Sequence, residues 1–260
     1  MSHLPEETPK KSYRTLLLAI ALLVGLVATV YVLNTWIYPR TPYVVVETPP
    51  GEQQQVTLPD GSTAWLNVDS RLQYPASFDP SERKVVLDGE AFFEVASAGN
   101  APFRIFAPQA VVTAEAGALN VQAYNDREQV GVAVVSGSAS VQSGKKATAL
   151  ELQAGERGAI IPAKSVAAIV PGDMEVAPWR HGRLVLPEER LPVAVRGLER
   201  WYGISIDWDL AALQQCRVTL VVDTASSTAA VQQLADILGA AMQPGDGVYQ
   251  VQGGQCPTAK

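Results

Sequence analysis

Three hydrophobic patterns follow one another along the chain. From Leu16 to Leu33 the run LLLAIALLVGLVATVYVL carries no charge. As a helix it spans about 27 Å, close to the ~30 Å of a bilayer hydrocarbon core. The segment reads as a transmembrane helix over residues 15–38, with Trp36 and Tyr38 suited to the interfacial belt. A cleaved signal peptide is the other reading. It would have a shorter apolar region followed by a small-residue cleavage site, and no such site follows. Ala21, Gly25 and Thr29 give small-xxx-small spacing, a candidate pairing face.

The second pattern is short apolar alternation interrupted by turn residues over 56–170. Asp60-Gly61 and Asp88-Gly89 predict hairpins between residues 56–58 and 63–66 and between 85–87 and 91–95. Further turns are predicted at 136–138, 143–146 and 154–156. Such spacing predicts an all-β sandwich or meander. Leu72, Tyr74, Phe78, Phe92, Val95, Phe103 and Ile105 are the expected core, together with Trp65 and Phe93. Residues 39–55, rich in Pro, form a spacer with one short strand at 43–46.

After a linker at 171–183 the periodicity changes to 3.6 in two places. Helices are predicted over 192–202, with Val195, Leu198 and Tyr202 inward, and over 227–239, with Val231, Leu234, Ile237 and Leu238 inward. Strands are predicted at 184–186, 204–208, 217–222 and 247–251. The order β-α-β-β-α-β over 184–252 predicts a small split α/β domain, with a tail at 253–260. The fold class is thus a single N-terminal transmembrane helix, an all-β domain and a small α/β domain.

Charge narrows the function. The 260 residues carry a net charge of −6, which disfavours nucleic-acid binding through phosphates. Lys10, Lys11 and Arg14 precede the span and Arg40 follows it. The positive-inside rule then places residues 1–14 in the cytoplasm as a tail and the rest outside it, in the periplasm of a Gram-negative cell. Cys216 and Cys256 either pair in that oxidising compartment or remain as two partly buried thiols. Of the two histidines only His181 lies beyond the span, with no serine elbow beside it. Asp207 and Asp209 share a strand face without a calcium-ligand loop. No catalytic, metal or cofactor site is expected, and neither is an enzyme.

The stretch LPDGSTAWLNVDSRLQYPASFDPSERKVVLDGEAFFEV, residues 58–95, resembles the core of the FecR-like family. The resemblance continues through Pro102-Phe103-Arg104-Ile105 and Leu119-Asn120-Val121-Gln122-Ala123-Tyr124, then Gly137, Gly155, Trp179, Gly182 and Leu184. Residues 184–252 resemble the short signalling domain of secretins and TonB-dependent transducers. The resemblance implies an inner-membrane sensor and anti-sigma regulator of iron-uptake signalling. Its implied partners are the signalling domain of a TonB-dependent outer-membrane transducer and an extracytoplasmic-function sigma factor. Residues 1–14 are too few to form a packed sigma-binding domain. They read as a peptide that folds on a partner, with a separate anti-sigma subunit or a repurposed sensor as alternatives. Some family members cleave themselves at a Gly-Thr step. Gly117-Ala118 stands there and supplies no hydroxyl, so no cleavage is expected.

Docking is expected on the α/β domain. Edge-strand pairing would use Leu184 and Leu186, or Val248 and Val251. Docking on the first helix would use Arg196, Glu199 and Arg200 on its outer face. The rival class is a structural or glycan-binding envelope protein built on the same scaffold.

Overall fold

The computed structural model describes residues 13–37, 42–97, 99, 101–143, 149–161, 166–170, 175–209, 211–245 and 247–257. The tail up to residue 12, Tyr38, Arg40, most of the 143–146 turn and the first part of the linker lie outside the described residues. The chain divides into two units, Met1–Pro42 and Tyr43–Lys260.

The first unit holds α1, Tyr13–Ile37. Over Leu16–Leu33 its mean hydropathy is 2.8 and none of it is buried against protein. A helix this long and apolar is able to cross a membrane.

The second unit opens with eleven strands in one sheet. They are β1 Tyr43–Thr48, β2 Gln54–Thr57, β3 Thr63–Leu66, β4 Ser70–Pro75, β5 Arg83–Val95, β6 Phe103–Phe106, β7 Val111–Ala123, β8 Val130–Gln142, β9 Leu150–Gln153, β10 Arg157–Ile161 and β11 Val166–Val170. The sheet path runs β1-β4-β5-β6-β7-β8-β10-β11. The β2–β3 hairpin joins at β5, and β9 joins at β8. Pairing is antiparallel except between β5 and β6. Leu66, Leu72, Leu87, Phe93, Phe103, Ile105, Leu119 and Leu152 are fully buried in one apolar core. Phe78 is only partly buried at its margin, and Phe92 belongs to a separate small cluster.

Two predicted turns are not turns. β5 runs straight through Asp88-Gly89, and β8 runs through residues 136–138. Gly89 sits at φ 112°, where a Cβ would strike Ser70 of β4. This glycine lets two strands approach within a sheet; it does not reverse the chain. Gly137 plays the same part opposite Gly117 of β7, where the register shifts.

The α/β region follows a short 3-10 turn, Pro178–His181. It contains β12 Leu184–Arg190, α2 Leu191–Tyr202, β13 Ser205–Trp208, β14 Arg217–Val222, α3 Ser227–Leu238, β15 Ala240–Gln243 and β16 Val248–Gly253. β15 is additional to the predicted order. Pro192 falls in the first turn of α2, and the Ser226 hydroxyl accepts from the Ala229 N–H to cap α3. β12 pairs with β14, while β16 lies between β13 and β15. Leu191, Ala194 and Leu198 of α2 and Ala230, Val231, Leu234, Ala235 and Leu238 of α3 fill the core with both sheets. Ile237, expected inward, is 36% exposed, and Ala235 takes the inner position. Cys216 and Cys256 form a disulfide with a Cα–Cα distance of 5.2 Å, tying the segment after β16 to the start of β14.

Candidate functional site

Alternating burial breaks down at one place in the sheet. From Gly89 to Phe93 of β5 both faces are buried. Ala91 and Phe93 enter the main core, while Glu90 and Phe92 face the other way. On that second face Phe92 meets Ala177 and Trp179 of the segment leading into the α/β region. The joint between the two regions is therefore built on β5 and its neighbours.

The centre of the joint is polar. Glu90 is 7% exposed. Its carboxylate accepts from Asn120 Nδ2 at 2.8 Å, Asn67 Nδ2 at 3.0 Å and Gln122 Nε2 at 3.1 Å. A buried carboxylate needs such donors to replace water. The amide oxygens pass the network outward. Asn120 Oδ1 accepts from Trp179 Nε1 at 3.2 Å, and Asn67 Oδ1 from Gln53 Nε2 at 2.9 Å. Arg180 covers the outer side, 4.3 Å from the Trp65 ring centre and 4.1 Å from that of Phe92.

Charge dominates at the rim. The loop between β7 and β8 sends Asp126, Arg127 and Glu128 to the α/β region. Asp126 pairs with Arg200 at 3.1 Å and Arg196 at 3.7 Å. Arg127 pairs with Glu189 at 2.6 Å and Glu128 with Arg190 at 2.9 Å. The Arg200 Nε also donates to Asp69 at 2.8 Å, and its guanidinium lies 4.0 Å from the Tyr124 ring centre. Burial works against the Arg200 charge. The hydrogen bond to Asp69 and the Asp126 carboxylate outweigh it, and its pKa rises. Burial, reinforced by the Glu90 charge, pushes the Tyr124 phenol far up. Its hydroxyl donates to the Val68 carbonyl at 2.8 Å.

This geometry relocates the expected docking residues. Arg200 is 14% exposed and turned into the joint, not onto an outer face. Glu199 accepts from the Ile206 N–H at 2.8 Å within its own region. Arg196 is 56% exposed but leans on Asp126. β16 lies between β13 and β15; Val251 pairs with both and is 3% exposed, whereas Val248 stands opposite Ser205 of β13 and is 47% exposed. Leu186 is buried and Leu184 partly so, both on β12, which has β14 as its sheet partner. His181 is exposed and lies 3.6 Å from Glu175. Among the described residues no group of three His, Cys, Asp or Glu side chains is placed to hold a metal. Residue-type searches for catalysis miss the joint because it is made of amides, one tyrosine and ordinary ion pairs. Its signal lay in polar residues on strands or just past one: Glu90, Asn120 and Gln122 on β5 and β7, and Asn67 directly after β3.

Residues 44–140 match the FecR protein family. No curated protein matches the chain. A crystal structure of a candidate anti-sigma factor from Parabacteroides distasonis ATCC 8503 aligns with TM-score 0.72 and 25% identity. It covers 84% of this chain and 100% of that one. A second such structure from the same organism, at 24% identity and TM-score 0.71, covers 83% and 100% and has the same fold. The FecR-like part of the chain is residues 44–140.

Proposed function

We propose that this chain is a single-pass inner-membrane sensor that relays a periplasmic signal toward a sigma factor by protein contact. The observation that carries this reading is the structural likeness to a candidate anti-sigma factor over 84% of the chain, spanning both the β and the α/β regions. In this reading residues 1–14 are cytoplasmic and residues 39–260 periplasmic. Residues 56–170 and 184–252 are its two periplasmic domains. The signalling domain of a TonB-dependent transducer is the incoming partner, and the α/β region receives it. The regulatory character of the relatives supports a role by contact and not by catalysis.

The test is crosslinking of the full-length protein in its native membrane, with partners identified by mass spectrometry. Recovery of a TonB-dependent transducer together with a sigma or anti-sigma factor is the expected result. Recovery of envelope-assembly proteins or glycan alone would overturn the proposal. Alkaline phosphatase fused after residue 260 should be active, and the same enzyme fused at residue 1 inactive.

A further inference from the structure

We propose that Arg200 is the hub of a releasable clasp through which β1, the strand next to the membrane helix in sequence, senses the position of the α/β region. Arg200 stands in the last turn of α2, and three segments of the β region converge on it. Its carbonyl accepts the Gly51 N–H at 2.9 Å. Its guanidinium holds Asp69 and Asp126 and covers Tyr124. Gly203, just past α2, packs against the Pro50 carbonyl. The segment at 49–51 is itself hooked in place: the Pro49 carbonyl accepts from the Asp69 N–H at 3.3 Å, and Thr48 Oγ1 donates to the Asn67 carbonyl at 2.6 Å. β1 ends at Thr48, and residues 38–42 connect its start to α1. The contact from α2 to this leg therefore bypasses most of the sheet.

The clasp is built to open. Among the described residues, the buried side-chain atoms without a hydrogen-bond partner are Asp126 Oδ1 and Arg127 Nε. Both belong to the loop that grips α2 and β12. A buried orphan polar atom disfavours the closed state. The cross-joint pairs that offset it are charged, partly exposed and open to competition from salt or an incoming charged surface.

The purpose of the clasp rests on the signalling reading, but its test does not. Hydrogen–deuterium exchange is followed on the full-length chain in lipid nanodiscs, for wild type, Arg200→Ala, Arg200→Lys and Asp69→Asn. The expected result is at least tenfold faster exchange at residues 43–53 and 175–183 in Arg200→Ala, with Asp69→Asn and Arg200→Lys between it and wild type. Amides of α3 and the centre of β7 stay at their wild-type rates. Raising salt to about 0.5 M should move the wild type in the same direction and move Arg200→Ala by less, through the remaining Arg127–Glu189 and Glu128–Arg190 pairs. The proposal is overturned if β1 keeps its wild-type rate while only 175–183 loosens, because the clasp is then local packing. It is equally overturned if every core strand loosens together in all three variants. Crosslinking without a sigma-pathway partner would remove the signalling reading and leave the exchange result intact.

Discussion

Arg83 is buried and Arg200 is largely covered within the second unit, and their surroundings are opposite in design. Arg83, 2% exposed, works inside the β region. Its Nε donates to the Ala101 carbonyl at 3.0 Å. One Nη donates to Asp60 at 2.9 Å and the Ala96 carbonyl at 2.6 Å, and the other to the Glu115 carbonyl at 2.6 Å. Asp60 is in turn held by the Ser62 N–H and hydroxyl. Every nitrogen of that guanidinium has a partner, so the site locks the β2–β3 turn, the approach to β6 and the middle of β7 together. Arg200 joins two regions instead, and the loop it grips contains unpartnered buried atoms. A fully satisfied buried charge fixes a fold; a partly satisfied one marks a joint that can part.

The comparison breaks most simply at Arg83. Arg83→Ala strands Asp60 and several carbonyls in the interior, and should lower stability by about 3–5 kcal/mol in chemical denaturation. Arg200→Ala should cost about 1–3 kcal/mol, because its partners regain water when the joint opens. Equal losses would erase the distinction. Reduction of the Cys216–Cys256 disulfide should cost about 2–4 kcal/mol, read as a lower denaturation midpoint of the α/β region. The same reduction leaves the β region's transition in place if the joint is separable, and moves both if it is not.

Much of the architecture was legible before the structure. The apolar span and the change from period 2 to period 3.6 located α1, α2, α3 and most strands. What misled was glycine in β sequence. Asp88-Gly89 has the composition of a hairpin turn, yet Gly89 serves a close approach to Ser70 that no local pattern encodes. Arg200 failed differently. Helical spacing placed it correctly off the core of its own region, but a solvated face and a face pressed on another region look alike in sequence. The residues that carry the family resemblance were more informative than their chemistry suggested. Asn67, Glu90, Asn120, Gln122 and Tyr124 all lie in the quoted stretches, and all meet at the joint. Only long-range pairing of β3, β5 and β7 brings them together.

The smallest effect concerns how tightly the joint is sealed. Burial and the nearby Glu90 charge raise the Tyr124 pKa far above its ordinary 10.0. An unfolded chain releases that proton near pH 10, while the folded one retains it. Above pH 10 the folded state therefore binds more protons, and stability falls as pH rises, by at most about 1.4 kcal/mol per pH unit for this group. Tyr202 is also raised, by burial and then by Asp223, and adds a loss of the same sign. Tyr124→Phe keeps the ring under Arg200 but drops the bond to the Val68 carbonyl, costing about 0.5–1.5 kcal/mol at neutral pH. Measured by denaturation between pH 8 and pH 11.5, the wild type should start more stable and lose its advantage as pH climbs past 10. If the two curves stay parallel, Tyr124 titrates as a wetted phenol. The closed joint would then be open to water already, leaving the clasp no sealed state from which to release.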